Sequence, residues 1–125
     1  MKIAIVSEDN VGLKGTVSHH FGIAPYLTII DSESLDVIDI IENKNHHYGG
    51  ELSPPKFIKK QGIDILIVKE LGENAVKSLN RLKIKVYLGA KGTIQETIKA
   101  FKENKLHQAT LDDPKIHHYS PEKKS

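Results

Sequence analysis

Ile3-Ala4-Ile5-Val6 is an unbroken apolar run just inside the start of the chain, and it constrains the fold more than any other segment. Successive side chains of a strand point to opposite faces, so four apolar residues in a row put apolar surface on both. Such a strand is stable only between two covering layers. Ile65-Leu66-Ile67-Val68 is a second run of the same kind. Two doubly buried strands predict an α/β sandwich, with helices on both faces of one sheet.

The remaining pattern fills in that architecture. Lys2–Ser7 reads as the first strand, followed by a loop from Glu8 to about Ala24. Tyr26–Asp31 and Asp36–Glu42 are rich in β-branched and aromatic residues and are separated by Ser32-Glu33-Ser34, which predicts an antiparallel hairpin. Ser53-Pro54 is a helix start and Gly62 a stop, giving a helix over Pro54–Gln61. Ile63–Val68 is the next strand, Asn74–Leu82 a helix with Ala75, Leu79 and Leu82 on one stripe, and Ile84–Leu88 a strand. Thr93-Ile94-Gln95-Glu96 has the form of a capping box, and Ile94, Ile98 and Phe101 repeat at the spacing of a buried helix stripe that ends near Asn104. Right-handed crossovers make strands one, four and five parallel, with one and four central and strand two antiparallel beside strand one. The expectation is a five-stranded mixed sheet formed by residues 1–106, with 107–125 a mobile histidine-containing tail carrying Pro114 and Pro121.

Composition removes several functional classes. The 125 residues suit one domain. With no cysteine there is no thiolate for a nucleophile, an iron–sulfur cage or a structural zinc site, so any metal must take nitrogen or oxygen ligands. Arg81 is the single arginine among 18 basic residues, which argues against forked phosphate and guanine recognition, and no nucleic-acid partner is expected. Lys59-Lys60 and Lys123-Lys124 read as solvated faces. No run of about 18 apolar residues is present and the N-terminus does not resemble a secretory leader, so no membrane partner and a cytoplasmic location are expected.

With the first strand pointing up, the loops Glu8–Ala24, Asn43–Leu52, Lys69–Glu73 and Gly89–Gly92 all emerge at the upper edge of the sheet. Ligands of open α/β sheets bind beyond the carboxyl ends of parallel strands, which is this edge. Two of the loops carry His19-His20 and His46-His47, a candidate ligand set for zinc, copper, iron, nickel or a cluster with an open position. The alternative is solvated loop histidines whose adjacent rings point apart, and composition leaves both readings open, as it does for His117-His118. Gly12, Gly15, Gly22, Gly49, Gly50, Gly72, Gly89 and Gly92 share these loops, where they make turns or let backbone approach a ligand. Gly72 and Gly92 precede helices whose first amides could face an anion.

Ser18-His19-His20-Phe21-Gly22 followed by Ala24-Pro25-Tyr26 resembles the S-x-H-F-G-x-A-P-Y signature of the dinitrogenase iron-molybdenum cofactor biosynthesis family, which includes nitrogenase accessory factors. Glu42-Asn43, Gly62-Ile63-Asp64, Gly72-Glu73-Asn74-Ala75 and Gly92-Thr93-Ile94-Gln95-Glu96 continue the match in order and spacing over about residues 1–106. The resemblance implies a ribonuclease H-like three-layer α/β/α sandwich with sheet order 3-2-1-4-5. It also implies a non-catalytic protein that binds iron-molybdenum cofactor or a related molybdenum or iron cluster during assembly or transfer, with an assembly or recipient protein as partner. His20 takes the motif histidine; Phe21, Gly22, Gly49, Gly50, Gly72, Asn74, Gly92 and Thr93 are the other expected cofactor contacts. Three positions depart from the pattern: Ile23 stands where the family often has arginine, Lys44 where it often has proline, and Lys83 replaces a glycine.

Two other classes compete. A metal-dependent nuclease would use Glu8, Asp9, Glu70 and Glu73, but two-metal chemistry on this fold places a carboxylate within the first strand, and Ile3–Ser7 has none. A regulatory or scaffolding module would bind a protein partner through the tail.

Overall fold

A computed structural model describes residues 1–43 and 53–110. Its strands are β1 (Lys2–Ser7), β2 (Tyr26–Asp31), β3 (Val37–Glu42), β4 (Ile65–Val68), β5 (Lys85–Leu88) and β6 (His107–Ala109). Its helices are α1 (Pro54–Lys60), α2 (Glu73–Arg81) and α3 (Ile94–Lys102), and a single 3-10 turn, Gly12–Lys14, lies in the loop after β1. The sheet order is β3-β2-β1-β4-β5-β6. β1 is parallel to β4 and β4 to β5, while β1–β2, β2–β3 and β5–β6 are antiparallel.

The central strands divide their side chains as the apolar runs require. Ala4 and Val6 face a core built with Leu66, Val68 and Val86 against Ile58 of α1 and Val76 and Leu79 of α2. Ile3 and Ile5 face the opposite core, with Ile65 and Ile67 under Ile94 and Ile98 of α3. All of these are buried. One face of the sheet therefore carries two helices and the other carries α3 and the 3-10 turn, which makes the three-layer sandwich.

Two expectations need correction. The sheet has six strands, not five, and the domain does not stop at residue 106. His107–Ala109 pairs with β5 in the register Leu88↔His107, Tyr87↔Gln108, Val86↔Ala109. Ala109 is 1% exposed and belongs to the α1/α2-side core. Three residues show no periodicity, so the strand is specified by its partner rather than by its own pattern. The part of the expected tail beyond Thr110 lies outside the described residues.

The three helices end alike. Gly62, Lys83 and Asn104 follow α1, α2 and α3 in left-handed conformation, with φ of 77°, 64° and 58°. After α2 the amide of Lys83 donates to Asn80 O at 2.9 Å and that of Ile84 to Leu79 O at 3.0 Å, the paired bonds of a Schellman motif. After α3 the amides of Asn104 and Lys105 donate to Phe101 O and Ala100 O at 3.1 and 2.9 Å in the same way. At the other end of α3 the expected capping box is present, whereas Ser53 makes no side-chain cap on α1.

Candidate functional site

β1 ends at Ser7, whose buried hydroxyl lies 2.9 Å from that of Thr28 on β2. The loop that follows is shaped by Asp9, whose carboxylate accepts the amide of Thr16 at 3.0 Å, while Glu8 N donates to Thr16 O at 2.9 Å. A Cβ at Gly15 would lie 2.6 Å from Asp9 Oδ1 and 3.0 Å from Gly12 O, so the turn closes only around glycine. The chain then returns over the sheet. Ser18 N donates to Val6 O at 2.9 Å, Val17 N to Gly92 O at 2.9 Å, and Ile94 N to Gly15 O at 2.8 Å. The loop after β1 is thereby stitched to both β1 and the β5–α3 connection.

This stitching delivers the histidines. Ser18 is buried, and its hydroxyl accepts the amide of His20 at 3.1 Å, while the His19 and His20 side chains are exposed. Asn43, at the exit of β3, holds the following turn: its buried side-chain amide donates to Ala24 O at 3.0 Å and Gly22 O at 3.4 Å, and its backbone amide donates to Pro25 O at 2.8 Å. Phe21 packs, partly buried, against the α1/α2-side core. A Cβ at Gly22 would lie 3.4 Å from Pro54 Cγ at the start of α1.

Across the edge, Lys69 directly follows β4 and brings its Nζ to 3.4 Å from His19 Nε2. β1 and β4 are neighbours in the sheet, but the chain leaves β1 toward β2 on one side and β4 toward β5 on the other. The His19–Lys69 contact thus spans the topological switch point, where open α/β sheets form their ligand crevice. The β5 loop is tied to the same place, Gly89 N donating to Lys69 O at 3.0 Å and Ala90 N to Val68 O at 3.1 Å.

The other expected contacts fall as follows. Gly72 is the N-cap residue of α2, and Asn74 lies exposed in its first turn. Gly92 has φ of 71°. The Thr93 hydroxyl accepts the Glu96 amide at 3.1 Å and donates to Glu96 Oε1 at 3.2 Å, so it serves α3. The Thr93 backbone amide, at 2.9 Å from the Glu96 carboxylate, holds that carboxyl below the usual glutamate range, and the Thr93 hydroxyl adds to the effect. Gly49, Gly50, His46 and His47 lie outside the described residues. Of the acidic residues weighed for nuclease chemistry, Asp9 is engaged by Thr16 and Glu73 pairs with Lys77 at 3.3 Å. Among the described residues no three His, Cys, Asp or Glu side chains converge to hold a metal ion, and no helix is long and apolar enough to cross a membrane.

Sequence reasoning did not single out Lys69 or His107 for the site. Position after the apolar run Ile65–Val68 is the signal that marks Lys69. His107 reaches the same edge only through β6, opposite Leu88.

The molecule is thus a small three-layer α/β/α protein whose histidine-bearing loop meets a lysine at the switch point of its sheet. It belongs to the dinitrogenase iron-molybdenum cofactor family, whose model matches residues 1–104. The chain is 31% identical over 112 residues to an uncharacterized protein of Methanocaldococcus jannaschii, covering 86% of this chain and 91% of that one. A Thermotoga protein solved by NMR, proposed to be a NifB protein, is similar at TM-score 0.69 and 31% identity over 90% of this chain and 98% of that one. The apo form of the orange protein from Desulfovibrio gigas shares the fold, at TM-score 0.74 and 23% identity over 87% and 92% of the two chains.

Proposed function

We propose that the chain binds and carries an iron-molybdenum-type cofactor, or a related metal cluster, during cluster assembly or transfer, and that it does so without catalysing a reaction. The observation that carries this reading is the meeting of His19 and Lys69 across the switch point, with His20 beside them on a loop whose backbone is already fixed. Family membership supports the class of cargo. Ser18 and Asn43 order the loop in advance, which lowers the conformational cost of binding. In a chain without cysteine, imidazole ligands would hold a cluster less tightly than a thiolate cage holds zinc, and that suits a carrier that must hand its cargo on.

The test is metal analysis of protein purified anaerobically from its own host, wild type beside His20→Ala. Molybdenum or iron should co-purify with the wild type and fall on the order of tenfold in the variant, in the range of lost metal-site interactions. Equal metal content in the two proteins, or none in either, would overturn the reading.

A further inference from the structure

We infer that Lys69 sets the charge selectivity of this face, favouring anionic metal complexes over bare divalent cations; the inference rests on the reading of the face as a cargo site. A lysine ammonium offers only donors. A hydrogen bond across the 3.4 Å between Lys69 Nζ and His19 Nε2 therefore has one direction open to it: Nε2 accepts from Lys69 through its lone pair, with the ring proton on Nδ1. Coordination of a metal through Nε2 uses the same lone pair. A bare dication must displace the ammonium and then remain beside its positive charge.

An anionic complex meets the reverse balance. Lys69 turns its N–H groups onto the oxo or sulfido ligands of the complex, and Nε2 of His19 is released toward the metal they surround. Among the described residues no ion pair engages the lysine; the pairs there are Lys77–Glu73 and Lys105–Glu103. The main chain at Lys69 is held by the bond from Gly89, so replacing the side chain leaves the loop in place.

The experiment is titration of the full-length apo-protein at low ionic strength with zinc ion and, separately, with tetrathiomolybdate. Wild type is compared with Lys69→Met and Lys69→Arg, and zinc at His19 is read from its imidazole NMR signals. A unit charge a few ångströms from the bound ion changes affinity by roughly tenfold in water-like surroundings. Lys69→Met should therefore bind zinc at His19 about tenfold more tightly and the anion about tenfold more weakly, while Lys69→Arg stays near wild type for both. Both differences should shrink as salt is raised. Changes of the same sign, or none, in a protein that binds its ligands would overturn the role of Lys69 and leave the carrier reading standing. A wild type that takes up neither ligand would sink both.

Discussion

The side-chain amide of Asn43 donates to the carbonyl of Ala24 at 3.0 Å, joining the exit of β3 to the turn just beyond the histidines. Asn43 is buried, so loss of its amide strands carbonyls that have no ready access to water. Asn43→Ala should cost roughly 1–3 kcal/mol in a denaturant melt, and it should weaken cargo binding at concentrations where the protein remains folded. Wild-type affinity in that variant would mean that the turn holds its shape without the clasp.

The capping box of α3 gives a paired prediction. Thr93→Ala should cost about 1 kcal/mol. Glu96 accepts its bonds as a carboxylate, and its pKa in the folded protein lies below the ordinary value, so its contribution is present above that value and is lost as pH falls through the folded one. Stability curves of wild type and Glu96→Gln should therefore separate above about pH 4.3 and converge below it. Parallel curves at every pH would remove Glu96 from the cap.

Lys83 follows α2 with a φ of 64°, a conformation that glycine adopts freely and lysine does not. Lys83→Gly should therefore stabilise the protein, by up to about 1 kcal/mol, since the left-handed conformation costs a residue with a Cβ roughly 1–2 kcal/mol and glycine returns part of that in chain entropy. Thermal melts of the two proteins compare them directly, and a lower melting temperature for the glycine variant would contradict this account.

Ending the chain at Leu106 should destabilise it relative to a chain ending at Thr110. The shorter form loses the β6 ladder against β5 and the buried methyl of Ala109, together roughly 2 kcal/mol or more at about 1 kcal/mol per ladder hydrogen bond. Equal denaturation midpoints would show that β6 adds nothing to the fold.

The parts of this fold that could be read in advance are those whose signal is local. Ile3–Val6 and Ile65–Val68 state their double burial in their own residues, and Thr93 and Glu96 announce a helix start from three positions apart. β6 could not be read that way, because His107-Gln108-Ala109 becomes a strand only once Val86–Leu88 lies alongside. The site divides along the same line. His19 and His20 stood out as an adjacent pair in a glycine-bearing loop, while Lys69, 50 positions away in sequence, enters only through the parallel pairing of β1 with β4. Thr93, read as a cofactor contact, has its hydroxyl in the helix cap.

The bonds from Val17 to Gly92, Ser18 to Val6 and Ile94 to Gly15 bear on how fast cargo could come and go. With its amides anchored to the framework on both sides, the segment before the histidines cannot swing as a lid without breaking several bonds together. Rotation of exposed imidazole and ammonium groups needs no such rupture and proceeds on the picosecond-to-nanosecond scale of surface side chains. Exchange governed by side-chain rotation would leave the turnover of bound cluster limited by its bonds to the ligands and by encounter with the recipient, with the backbone as a fixed berth.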